Sequence, residues 1–209
     1  MAGILLLPPA GAIIRGVTKW IDALAARIAP GEARPAADDR RRAAVAVVLH
    51  EAAAPRVLLM KRAERAGDPW SGHISLPGGG YQASDGDLRI TAIRETHEEL
   101  GIDLAGARLI GKLGTMHPMS GSRGIEVTPF VFATDVALEP VCGPEALAGF
   151  WLPLDLAASG ALDGVYTYPS TDRTFPSWTY DGHVIWGLTR RILDDVLAAA
   201  AAEVTAAAR

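Results

Sequence analysis

An α/β or α+β fold is what the sequence predicts, on three observations. Short apolar runs rich in β-branched residues at positions 43–50 and 56–61, with longer ones at 108–116 and 125–135, have the length and composition of strands. Helical spacing of apolar residues recurs at 17–28, in a segment ending at Leu100, and at 183–197. The two kinds of pattern are interleaved along the chain, with Gly and Pro clusters between them. Periodicity does not order the strands, so the choice between the two classes stays open at this level.

Taken in order, residues 1–14 are apolar but too short to span a bilayer, are broken by Pro8-Pro9, and lack the positive n-region of a secretory signal. We read them as a tail or packing arm. Val17, Trp20, Ile21, Leu24 and Ile28 form one stripe of an amphipathic helix that Thr18 can cap, and Pro30, Gly31, Pro35 and the charges of 38–42 make a linker. The triple arginine Arg40-Arg41-Arg42 beside Asp38-Asp39 is read as a solvated charge run. Residues 43–50 and 56–61 pair as strands around a small loop at Pro55. Residues 63–75 carry Gly67, Pro69 and Gly72 without periodicity and form a loop directly before Gly78-Gly79-Gly80. Beside or within it Arg62 and Arg65 are candidate phosphate binders, because a guanidinium forks onto two oxygens. Trp70 is a candidate stacking surface for a base, and His73 a weaker phosphate donor. The glycines form a turn into a helix capped by Ser84 or Asp85 and stopped by Gly101. Pro129 within the 125–135 run predicts an edge strand or a bulge, and residues 117–123 a loop. Residues 169–175 are a loop, and 183–197 a closing helix with Ile185, Leu188, Ile192 and Val196 on one stripe. The alanine-rich end beyond 198 is helix-prone with little to bury. The expected organisation is therefore 1–42 as tail, helix and linker, 43–197 as the main domain, and 198–209 as a tail.

The chemistry concentrates in Arg94-Glu95-Thr96-His97-Glu98-Glu99-Leu100-Gly101. At 100° per residue Glu95 and Glu99 stand one turn apart on one face, with Glu98 about 60° to the side. Ile93, Thr96 and Leu100 form a second face that can anchor the helix. Crowded carboxylates repel, and a hard divalent cation with oxygen ligands offsets the repulsion, so Mg2+ or Mn2+ is the expected cofactor, held by Glu95, Glu98 and Glu99. A solvated acidic face with an Arg94 to Glu98 pair explains any two of these glutamates equally well. The whole frame Arg-Glu-x-x-Glu-Glu-x-Gly is another matter, arising by chance on the order of once in ten thousand chains of this length.

At these residues the sequence resembles the Nudix hydrolases, whose box reads G-x5-E-x7-R-E-U-x-E-E-x-G-U, with U apolar. Arg94, Glu95, Glu98, Glu99, Gly101 and Ile102 match its second half, with Thr96 at the first U. In the first half Gly86 stands where the lone glutamate belongs, with Asp85 one residue early. The spacing P-G-G-x5-D-x-D-L of the coenzyme A pyrophosphatase branch fits Pro77-Gly78-Gly79, Asp85, Asp87 and Leu88 better. A second signature of that branch is met in part by Leu58-Leu59, Arg62, Gly72, Ile74, Ser75 and Pro77-Gly78-Gly79, with Met60 for a threonine and the second arginine displaced to Arg65. The resemblance implies an α/β/α sandwich around a mixed sheet, with the extra N-terminal and C-terminal helices outside it, and a short strand and turn at 150–154. It also implies a backbone carbonyl ligand near Gly79 or Gly80, an orienting role for Arg94, and an accessory carboxylate outside the box, which we assign to Glu145 with Glu126 as the alternative.

The implied function is metal-dependent hydrolysis of a diphosphate in a nucleoside diphosphate linked to another moiety, with coenzyme A or acyl-CoA first and ADP-ribose or a nucleotide sugar second. An inactive nucleotide-sensing module would be expected to have lost box carboxylates, and all three are present. With 209 residues, 49% of them hydrophobic, the chain can bury one substantial core. A net charge of −4 gives no global field toward nucleic acid, which also disfavours a decapping enzyme. The single Cys142 excludes an intramolecular disulfide and fits a reducing, cytoplasmic setting. The partner expected is a small nucleoside diphosphate derivative, with no nucleic acid and no membrane span; a homodimer is left open.

Overall fold

The computed structural model describes residues 17–206 apart from 36, 37, 39, 52, 53, 69, 120–123 and 170, with side chains between residues 20 and 201. The expected arm at 1–14 and residues 120–123 of the predicted loop lie outside the described residues, as does the side chain of Thr18.

Seven strands build a mixed sheet: β1 (Arg41–His50), β2 (Arg56–Arg62), β3 (Ile74–Ser75), β4 (Gly78–Gly80), β5 (Arg108–Lys112), β6 (Ile125–Thr134) and β7 (Ala146–Pro153). The β1–β6 pair is parallel and in register from Arg41↔Ile125 to His50↔Thr134, and the other pairs are antiparallel. The expected hairpin of β1 and β2 is shallow. Only Leu49↔Val57 and His50↔Arg56 pair, because the other end of the same β1 edge belongs to β4, with Ala43↔Gly80, Ala44↔Gly79 and Val45↔Gly78. The glycine triplet is thus a short strand, not only a turn.

Alternation along β1 sets the layers. Ala44, Ala46 and Val48 face α2 (Leu88–Leu100), where they meet Leu88, Ala92 and Leu100, while Val47 and Leu49 face the opposite side. There α1 (Val17–Ala25) buries Trp20, Ile21 and Leu24 beside Ile192, Leu193 and Val196 of α4 (Gly187–Ala206). The result is the mixed sheet between helices that the resemblance implied. A short α3 (Leu154–Ala158) follows β7 at the expected strand and turn.

Three expectations change. The predicted helix at 183–197 begins as a strand: β10 (His183–Trp186) pairs with β9 (Thr174–Tyr180), which pairs with β8 (Asp163–Thr167), forming a separate antiparallel sheet. Ile185 falls on the helical stripe only by coincidence of spacing, and the helix proper runs from Gly187 through the alanine-rich stretch to Ala206, burying Ala200. Pro129 does not mark an edge, for β6 is flanked by β1 and β5. Its carbonyl accepts from Leu113 N just past the end of β5, so the side of the strand lacking an N–H faces a place where the ladder has already stopped. Finally, Asp87, not Ser84 or Asp85, caps α2 by accepting from Arg89 N, while residues 83–85 form a 3-10 turn.

Candidate active site

The glycine strand β4 and the carboxylate helix α2 meet at Glu99. This glutamate is buried on the sheet side of α2, not in an open cleft face as its spacing suggested, and its Oε2 accepts from Gly78 N at 2.8 Å. Its nearest cation is Arg62, whose Nη1 stands 3.9 Å from Oε1, beyond hydrogen-bond length. Burial pushes the Glu99 carboxyl up to about 8, and the charges of Glu95 and Glu145 add to the push. Burial raises Glu95 too, against the pull of Arg94.

Glycine is required at the first position of this strand and makes room at the second. At Gly78, φ is 153° and a Cβ would strike the Ala44 carbonyl and the Val45 backbone across the ladder. At Gly79 a Cβ would lie 2.5 Å from the Glu95 carboxylate, so the missing side chain lets the strand's backbone approach that carboxylate.

Arg94 fills the space between the acidic groups. Its Nη1 donates to Glu95 at 2.8 Å and Glu98 at 3.1 Å, its Nε and Nη2 to Asp85 at 3.0 and 3.1 Å, and Nη2 also to the Gly80 carbonyl. Asp85 further accepts from Thr91 Oγ1 and Gln82 N. The Arg94 guanidinium holds its carboxyl down at about 2. Asp85 is a residue of the site to which sequence reasoning gave no site role, only that of a candidate helix cap and a match to a family spacing. The signal was its place in the Pro-Gly-Gly-x5-Asp-x-Asp-Leu spacing, in which Asp87 caps α2 and Leu88 is buried in the core.

Among the described residues no three acidic, histidine or cysteine side chains stand as a ready-made metal cluster, since Arg94 occupies Glu95 and Glu98. The chemistry of the donor set nevertheless fits a hard divalent cation. The buried Glu99, short of compensating charge, and the half-buried Glu95 face a glycine strand, and Glu98 beside them is exposed.

The remaining predicted residues divide. Glu145 stands at the start of β7, brought to the box by a loop that lies across the C-terminus of α2, where Val141 N donates to Leu100 and Gly143 N to Glu99. Its side chain pairs with Arg65 at 3.1 Å, both about half exposed. Arg62 donates to Asp68 at 3.0 Å, tying the 63–73 loop to β2, and its Nε is buried without a hydrogen bond among the described residues. The Trp70 N–H donates to Asp68, and the residue lines the same cavity as Glu95, Glu98 and Glu145. Glu126 is instead engaged by Arg40 at 2.5 Å and Arg42 at 3.5 Å. Of the run Arg40-Arg41-Arg42, the first two are exposed, in keeping with the solvated run expected, while the Arg42 side chain is only 10% exposed. Arg41 and Arg42 open β1, and all three of Arg40, Arg41 and Arg42 line the cavity, whose volume is about 1110 Å³.

A sheet flanked by helices thus sets the acidic residues of one helix against a glycine strand, in a large cleft lined by arginines. The model of the NUDIX domain matches residues 39–170. Two curated relatives, both named "Uncharacterized Nudix hydrolase NudL", come from Yersinia pestis (strain Pestoides F) and Yersinia pseudotuberculosis serotype O:1b (strain IP 31758). Each is 34% identical over 158 residues, covering 73% of this chain and 76% of its own. In fold the chain is similar to the crystal structure of a NUDIX hydrolase from Alicyclobacillus acidocaldarius, with a TM-score of 0.50 and 22% identity over 81% of this chain and 96% of that one. The chain belongs to the Nudix hydrolases, enzymes acting on pyrophosphate bonds that generally use divalent metal ions. No helix among the described residues is long and apolar enough to cross a membrane.

Proposed function

We propose that the chain hydrolyses the diphosphate bridge of coenzyme A or an acyl-CoA, with Mg2+ or Mn2+ held by Glu95, Glu98, Glu99 and the backbone at Gly79. The observation that carries this reading is the undercompensated, buried Glu99 bonded to Gly78 beside the arginine-lined cavity. An ion held there would offset the negative charge of the diphosphate and acidify a water. Arg94, fixed by Asp85, orients Glu95 and Glu98. Glu98 and Glu145 are the two accessible carboxylates on the cavity that can take the proton of the attacking water. Arg62 and Arg65, at the base of the loop that carries Trp70, face an incoming phosphate once their present carboxylate partners yield. The coenzyme A assignment rests on the Asp85, Asp87, Leu88 spacing, each member of which has its own task in the fold: holding Arg94, capping α2 and filling the core.

A substrate panel of coenzyme A, acetyl-CoA, ADP-ribose and a nucleotide sugar, run with either metal and resolved by mass, tests this. We expect 4′-phosphopantetheine and adenosine 3′,5′-bisphosphate from coenzyme A. Cleavage of ADP-ribose with coenzyme A untouched removes the substrate assignment, and full turnover in excess chelator removes the metal.

A further inference from the structure

The three-stranded sheet was not foreseen, and it brings an aromatic cluster to the same cavity. Trp186, at the end of β10, stacks on Tyr166 at 4.2 Å between ring centroids and 26° between planes. Around it stand His73 at 5.2 Å, Phe175 at 5.4 Å and Tyr168 at 5.7 Å. The ladder explains the gathering. Tyr166 pairs with Phe175 across β8 and β9, and Trp186 pairs with Ser177 two residues on, so these rings share one face of the sheet. Tyr166 backs the indole without lining the cavity, whereas Trp186, Phe175, Tyr168 and His73 all line it and all are only half-buried.

A cluster serving only as core would close over its rings, as Trp178 on the same sheet does at 1% exposure. The recess is also tied to the glycine strand. His73 leads through β3 to Gly78 in five residues, which limits the backbone separation to about 18 Å. Phe175 and Trp186 lie beyond the residues that the family model matches.

We propose that Trp186, Phe175, Tyr168 and His73 form a subsite that stacks the nucleobase of the substrate. The inference rests on the reading of the substrate as a nucleoside diphosphate derivative. Aromatic stacking on a base contributes roughly ten- to a hundredfold in affinity and tolerates different bases. The base half of the substrate therefore docks against the second sheet while the diphosphate lies at α2 and β4.

The test is equilibrium binding, independent of turnover, of three probes with Mg2+ present: ADP; inorganic pyrophosphate, which carries the anion without the base; and 4′-phosphopantetheine, which carries the other half of coenzyme A. Wild-type protein is expected to hold ADP at least tenfold more tightly than pyrophosphate. Phe175→Leu, Tyr168→Leu and Trp186→Leu are each expected to shrink that ratio severalfold or more with pyrophosphate affinity unchanged, and Trp186→Phe to restore most of it. Thermal melting identifies any variant that fails to fold, and the other two then carry the result. An unchanged ratio in folded variants overturns the subsite, as does equal weakening of ADP and pyrophosphate. Loss of 4′-phosphopantetheine binding in place of ADP binding assigns the recess to the other half of the substrate and overturns it likewise. A protein that shows the ADP effect but cleaves no coenzyme A leaves the subsite standing and removes only the substrate assignment.

Discussion

Asp85 and Arg94 form the most consequential side-chain pair in the site, since Arg94 passes the constraint on to Glu95, Glu98 and the Gly80 carbonyl. The Asp85 side chain is 3% exposed, so Asp85→Asn leaves a half-buried guanidinium without its main counter-charge and should cost on the order of 3 kcal/mol. Its folded pKa is depressed to about 2. The stability it contributes is therefore present above the ordinary carboxylate value of about 4 and is lost as pH falls through 2. Urea melts of wild type and Asp85→Asn should differ fully at neutral pH and converge toward pH 2. At the reacting centre, Glu99→Gln keeps volume and helix propensity but removes the charge proposed to bind the ion, and steady-state kinetics should show a loss of roughly a thousandfold with the fold intact. Glu98→Gln should cost about a hundredfold or more in kcat, and Glu145→Gln less than tenfold. Near-normal turnover in a folded Glu99→Gln protein refutes the assignment. The carboxylates were legible because Arg-Glu-x-x-Glu-Glu-x-Gly fixes identity and helical phase together. The burial of Glu99 was not, because phase on an isolated helix does not say which neighbour covers it.

At the level of elements, β1 is shared along one edge by β2 and β4, and this fork sets the glycine strand against α2. Gly78→Ala puts a methyl into the Ala44 carbonyl at a φ of 153°, and should destabilise the protein by about 2 kcal/mol or more and lower activity with it. Thermal melting and turnover measured together check this. The strands β1, β2 and β6 could be read from their apolar runs because both their faces are covered. By contrast β10 is only four residues long, and its Ile185 sits at helical spacing from Leu188 and Ile192, so period alone joins strand to helix. The aromatic cluster was invisible for the same reason. Tyr166 and Tyr168 at period two meet Trp186 only once the β8, β9 and β10 ladder is known.

Over the whole molecule, the sheet divides the interior into an α2 side and an α1/α4 side, and the reacting groups belong to the first. Ile21→Ala, fully buried between α1 and the core, should cost about 3 kcal/mol while kcat and KM at low temperature stay near wild type. A large change in kcat would mean that the far layer positions the site. The helices on both faces followed from their spacing and from the family resemblance, whereas the second sheet did not, since its strands are short and mostly exposed. The path of the chain through these layers sorts the proposed tasks. Every carboxylate assigned to bond cleavage lies before Pro153, as does His73 of the proposed subsite, while its other three members, Tyr168, Phe175 and Trp186, lie after it. A segment from Asp163 to Trp186 exchanged between relatives would therefore move three of the four proposed stacking rings and none of the carboxylates proposed to hold the ion.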